Sequence, residues 1–122
     1  MSRKPAIRAA ESSVLVSHGA DFFGQDRYPL RDVMALAPYV EASVSYMKRA
    51  TVAPLVRLLE SPASGSVPAA DASQVAEQLL KVSRDRRIKP AISTLARALA
   101  DAAARAAADG EAWTWSVEVT TA

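Results

Sequence analysis

The segment "WTWSVEV" at residues 113–119 sets the terms for everything before it. Trp113, Trp115, Val117 and Val119 alternate with Thr114, Ser116 and Glu118, the period of two expected of a strand with one buried face. A lone strand cannot satisfy its own backbone N–H and C=O groups. Its natural partner is the short β-branched run "VLV" at 14–16, at the opposite end of the chain. The pattern between them is helical. The sequence therefore predicts an α+β, mostly helical single domain, with four to five helices packed on a small sheet that pairs the N-terminal and C-terminal strands. Two strands alone are marginal in water, so helices must cover their apolar face.

The helical stretch is punctuated by proline and glycine. Pro29 is expected to open a helix at its first position, where the missing N–H costs nothing. Leu30, Val33, Met34 and Ala37 form its apolar stripe; Pro38 interrupts it, and Val40, Val44 and Met47 continue it. Thr51 reads as the N-cap of a helix that turns Val52, Leu55, Val56 and Leu59 inward, with Pro54 in its first turn. "SPASGSVPAA" at 61–70 reads as a linker. "DASQ" at 71–74 resembles a capping box, followed by an inward face of Ala72, Val75, Ala76, Leu79 and Leu80. The longest helix should run from about Pro90 to Asp109, with Gly110 as its left-handed C′ residue. Arg97, Asp101, Arg105 and Asp109 recur every four residues with alternating sign, a solvated face laced by weak ion pairs.

Composition narrows the function classes. The chain of 122 residues has no cysteine, which excludes disulfides and thiolate metal sites. A net charge of +2 is too mild to imply nucleic acid by itself. The 26 alanines, absent asparagine and 11 arginines against 4 lysines resemble the codon bias of a GC-rich genome, so the arginine excess is not phosphate recognition. Residues 1–12 read as a flexible basic tail carrying Arg3, Lys4 and Arg8, ahead of a single domain at 13–122. No apolar run approaches a membrane span and no signal-peptide pattern is evident, so a cytoplasmic protein without membrane attachment is expected.

Scarce residue types gather in "SHGADFFGQDRYP" at 17–29: the only histidine, both phenylalanines and two of the four glycines. Read as a loop over 18–28 from a strand into a helix, it would offer an anion-binding helix N-terminus, with Arg27 and His18 as donors. Gly19 is expected to turn the chain with positive φ. His18 near Asp21 and Asp26 has the makings of a general base or of one arm of a His/carboxylate metal site, but the plainer expectation is a side chain that caps a turn or bonds a backbone carbonyl. Ser17 is not expected to join it, because neighbours on a strand point to opposite faces.

These residues, together with the late W-x-W of Trp113 and Trp115, resemble a family of small uncharacterised proteins from actinobacteria and their phages. In that family a strand leads into a near-identical SHGADFFG segment, then a helical middle. The resemblance implies the same architecture and carries no activity.

Function then divides three ways. One is a non-enzymatic binding or regulatory module acting on a macromolecular partner, with a phage or host-defence role resting on the resemblance alone. Its contact surface would be the 18–28 segment, through His18, Asp21, Phe23, Asp26 and Arg27. Another is a small hydrolase or ligand-binding protein built on His18, Asp21 and Asp26. The last is a weak nucleic-acid binder using Lys81, Arg84, Arg86, Arg87 and Lys89, five cations beside the single acid Asp85. No cofactor or bound metal is called for, and an unidentified protein is the expected partner.

Overall fold

A computed structural model describes residues 12–20 and 24–119. Its sheet comprises β1 (Ser12–Ser17), β2 (Gln25–Pro29), β3 (Gly65–Val67) and β4 (Trp113–Val119), in the order β2-β1-β4-β3. All neighbours run antiparallel. The helices are α1 (Leu30–Met34), α2 (Ala37–Ala42), α3 (Arg49–Glu60), α4 (Ala69–Ser83) and α5 (Pro90–Asp109), with a 3₁₀ turn at Tyr46–Lys48. The protein is thus α+β and mostly helical, and the first and last strands pair at the centre of the sheet. No helix among the described residues is long and apolar enough to cross a membrane.

The register explains the core. Val14 faces Val117 and Val16 faces Trp115, so inward side chains of β1 and β4 stack in pairs. Val14, Val16, Trp113 and Trp115 are fully buried with Val33, Leu36, Leu59, Leu79 and Leu99 from the helical layer. Thr114, Ser116 and Glu118 face solvent on the other side. The indoles meet edge to face, with centroids 5.3 Å apart and planes at 84°. Burying each is worth on the order of 2–3 kcal/mol. α4 and α5 pack against each other, and the buried residues include Ala72 and Ala76 on the first and Ala96, Ala100, Ala102, Ala103 and Ala106 on the second.

The longest helix has the expected bounds, Pro90 to Asp109, and Gly110 ends it at φ 69°. Its closing bonds, Gly110 N–H to Ala107 O and Glu111 N–H to Ala106 O, form a Schellman motif. Arg97 and Asp101 make the expected i,i+4 pair at 3.2 Å.

The structure corrects several local expectations. The sheet has four strands rather than two: residues 25–29 form β2, paired antiparallel with β1, instead of a loop leading into a helix, and β3 joins at the far edge. β2 was hidden in sequence because its inward residues are Asp26 and Tyr28, which bond each other instead of forming an apolar stripe. Pro29 ends β2 and caps α1, one residue before the expected place. α1 has only five residues, so the anion-binding helix end falls away. The 61–70 linker holds β3, whose three residues cover the otherwise open edge of Trp113–Trp115. Ser12, assigned to the tail, begins β1; residues 1–11 lie outside the described part of the chain.

Of a kink or a new helix start at Pro38, both of which the sequence allows, the structure has the new helix. Two other helix starts differ. α3 begins at Arg49, before Thr51, and Pro54 lies inside it, so the carbonyl of Ala50 lacks its usual donor. α4 begins at Ala69 with no side-chain cap, leaving Asp71 in the first turn, where a negative charge complements the helix dipole. Met47 is 86% exposed because the 3₁₀ turn rotates it out of the apolar stripe.

Only one of the two indoles has a polar partner. Trp113 Nε1–H donates to Ser17 O at 3.0 Å, whereas the buried Trp115 Nε1–H has no partner. Trp113→Phe and Trp115→Phe remove the same ring volume, so their difference isolates the N–H group. Trp113→Phe should be the more destabilising by about 1–2 kcal/mol in urea unfolding. Equal midpoints would show that the Trp113 bond adds nothing.

Candidate functional site

The chain leaves β1 through His18, whose φ of 61° is left-handed. A non-glycine residue there costs roughly 1–2 kcal/mol. It is held by contacts from the far end of the chain. His18 Nε2 lies 2.7 Å from Glu111 Oε1 and 3.8 Å from Asp109 Oδ2. Arg105 Nε donates to the His18 carbonyl at 2.8 Å. On the other side of the ring, Nδ1 lies 2.8 Å from Ser17 Oγ. A carboxylate only accepts, so Nε2 carries a ring hydrogen; in the neutral imidazole the Ser17 hydroxyl then donates to Nδ1. Ser17 Oγ also accepts from Thr114 N at 2.9 Å. It thereby takes up the next β4 amide after the ladder ends at Val16 and Trp115.

Ser17 and His18 were expected to point apart. They meet because His18 is no longer in the strand, and its left-handed backbone folds the ring back onto the preceding hydroxyl.

Asp26 secures the other side of the connection. Its Oδ1 accepts from Ala20 N at 3.0 Å and its Oδ2 from the Tyr28 hydroxyl at 2.8 Å. Gly19 N–H donates to Gly24 O at 3.1 Å across the neck. Gly19 is needed for closeness rather than for positive φ: a Cβ there would lie 2.7 Å from the Asp26 amide nitrogen. Burial, reinforced by the bond to Asp26, pushes the Tyr28 phenol well above its usual value.

Of the residues singled out in the sequence, His18 and Asp26 both anchor this connection but serve different partners. Arg27 sits on the outer face of the sheet, paired with Glu118 at 2.8 Å. Asp21 and Phe23 lie outside the described residues. The carboxylates that meet the imidazole are Glu111 and Asp109, which the sequence reading did not connect with it. Arg105, read there as part of a solvated ladder, spends its Nε on the His18 carbonyl instead. The signal existed: pairing residue 16 with 115 in antiparallel register draws residue 18 toward 111–113.

The basic cluster forms the exposed end of α4 and the turn that follows. Arg87 bonds Asp85 through Nε and Nη2, both at 3.1 Å, which holds the Asp85 carboxyl below the usual carboxylate range. Lys81, Arg84 and Arg87 border a cleft of about 630 Å³ that Tyr39 and Ser43 also line. Arg86 and Lys89 are not among its lining residues.

Together these features define a small two-layer α+β domain whose histidine connection is pinned to the end of its longest helix. The chain belongs to DUF7739, a family of domains of unknown function, which matches residues 19–116. No curated protein and no solved structure matches it.

Gly19→Ala should destabilise the domain by about 1–3 kcal/mol, because Asp26 must shift and loosen both of its bonds. A melting temperature within a degree of the parent would show that the neck tolerates the extra methyl.

Tyr28 gives a pH test. A phenol whose pKa is raised by folding contributes stability that is complete below the unfolded value of about 10 and is lost as pH climbs above it. Tyr28→Phe should cost about 1 kcal/mol at neutral pH, and this difference from the parent should shrink as pH rises beyond 10. A constant difference across that range, in urea midpoints, would show that the phenol is not perturbed.

Proposed function

We propose that this protein is a non-enzymatic binding module that engages a macromolecular partner through the 18–28 segment, which spans the β1–β2 connection and most of β2. The observation that carries this reading is the way the connection is anchored. Its first residue is bonded at ring and carbonyl by Glu111 and Arg105, nearly the whole domain away in sequence. A rigid scaffold displaying a connection is the usual arrangement for recognition. The segment also carries the chain's only phenylalanines, Phe22 and Phe23, a residue type that anchors many interfaces.

The bonding favours recognition over hydrolysis at His18, Asp21 and Asp26. Both imidazole nitrogens already have partners, and both Asp26 oxygens serve the connection itself. A general base must instead reach a substrate proton. The likeness of the SHGADFFG segment to actinobacterial and phage proteins supports seeking the partner in the cytoplasm, in a phage or host-defence setting.

Affinity capture with the parent protein and with Phe23→Ala, compared by quantitative mass spectrometry, tests this. The expected result is at least one protein captured by the parent and lost with the variant, while both melt at the same temperature. Identical captured sets would remove Phe23 from the interface. Loss of folding would assign it to the core.

The cleft beside the basic turn favours a second reading, weak nucleic-acid binding, because Tyr39 lines it together with Lys81, Arg84 and Arg87. An aromatic ring beside cations is what a single-strand binder needs, and the sequence alone did not show one there. Gel retardation of single-stranded DNA should appear at low salt and weaken with Arg84→Ala. No retardation at low salt would end this reading, since the phosphate attraction is strongest there.

A further inference from the structure

We propose that His18, Asp109 and Glu111 form a binding site for one first-row divalent transition-metal ion, with Zn²⁺ the best match. The site reuses the His18–Glu111 contact that anchors the connection, but its test needs no partner. Three donor atoms, His18 Nε2 and one oxygen from each acid, lie within 4.8 Å of one another. Two ligands of a tetrahedral zinc, each about 2.0–2.1 Å from the ion, sit roughly 3.3 Å apart. The separations from Nε2, 2.7 Å to Glu111 and 3.8 Å to Asp109, bracket that value. A small shift of carboxylates that are 63% and 60% exposed would therefore admit the ion. The donor set selects the metal class. One imidazole with two carboxylates suits zinc and its neighbours, whereas magnesium and calcium prefer oxygen alone.

The local charge also calls for a cation. Asp109 is the last residue of α5 and Glu111 lies two beyond it, where the ends of aligned carbonyls carry negative charge. Acids there are placed against the dipole, and the last turn of α5 holds no basic residue. Arg105, one turn earlier, directs its Nε to the His18 carbonyl. The two carboxylates and this guanidinium sum to −1 around the ring, which a divalent ion would reverse.

Ser17 lets the ring change roles. Without metal, Nε2 carries the hydrogen, and the Ser17 hydroxyl donates to Nδ1. With metal on Nε2, the hydrogen moves to Nδ1 and donates to the same oxygen. A hydroxyl both gives and accepts, so one contact orients the imidazole in either tautomer, as the outer partners of metal-bound histidines do. The ring itself is 16% exposed and fixed, while the acids remain free to close on an ion.

The full-length chain, without a histidine tag, is titrated with zinc chloride by calorimetry and followed by nitrogen-15 NMR of its single imidazole. The expected result is one equivalent bound with low-micromolar or tighter affinity, and transfer of the ring hydrogen from Nε2 to Nδ1. Asp109→Asn and Glu111→Gln should each weaken binding about tenfold or more. Both sites are exposed, so these variants should keep the parent's circular dichroism even if His18→Gln fails to fold. Magnesium in millimolar excess should not compete. No binding heat and an unchanged imidazole at millimolar zinc would overturn the proposal, as would unaltered affinity in either carboxamide variant.

Discussion

The pairing of β1 with β4 is the constraint on which the rest of the molecule depends. It joins segments separated by roughly 100 residues, and closing a loop of that length costs on the order of 4 kcal/mol in chain entropy. The two indoles on β4, burying about 2–3 kcal/mol each, are the largest local contribution able to offset that cost. They do so only in one register. A slip by one residue would turn Trp113 and Trp115 to solvent and carry Thr114 and Ser116 into the core. The sheet's centre is thus specified by a few large side chains, and its edges are free to be short and polar.

The same pairing builds the histidine connection. Once Val16 is opposite Trp115, the residue that follows β1 must emerge beside the end of α5. Ser17 accepts the Thr114 amide, Trp113 donates to the Ser17 carbonyl, and Glu111 and Arg105 take hold of His18. The backbone strain at His18 persists because these contacts over-determine it. Such strain is commonest where a protein has a task to perform, and here it lies at the junction of strand, helix end and aromatic-bearing segment.

Features with strong periodicity were legible in the sequence. The alternation of 113–117, the β-branched run at 14–16 and the Pro90–Asp109 helix with its terminal glycine each have one physical solution, and the structure adopts it; Val119, expected on the buried face, is exposed at the strand's end. What escaped were elements held by polar bonds or by position. β2 and β3 carry no apolar stripe: one is tied by Asp26 and Tyr28, and the other exists because β4 needs an edge partner. The candidate site escaped in part for the same reason. His18 was visible as an outlier, but the acids that meet it stand more than 90 positions later, in a segment whose charges look like ordinary surface. Only the sheet register connects them.

Ser12 and Val119 are direct partners at one end of the central β1–β4 pair. A pulling force applied at those two points would load the β1–β4 ladder one rung at a time, as a zipper opens, rather than shearing all its bonds together. Resistance to traction along the backbone is accordingly small, and the rung that joins Val16 to Trp115 would be the last of the ladder to part.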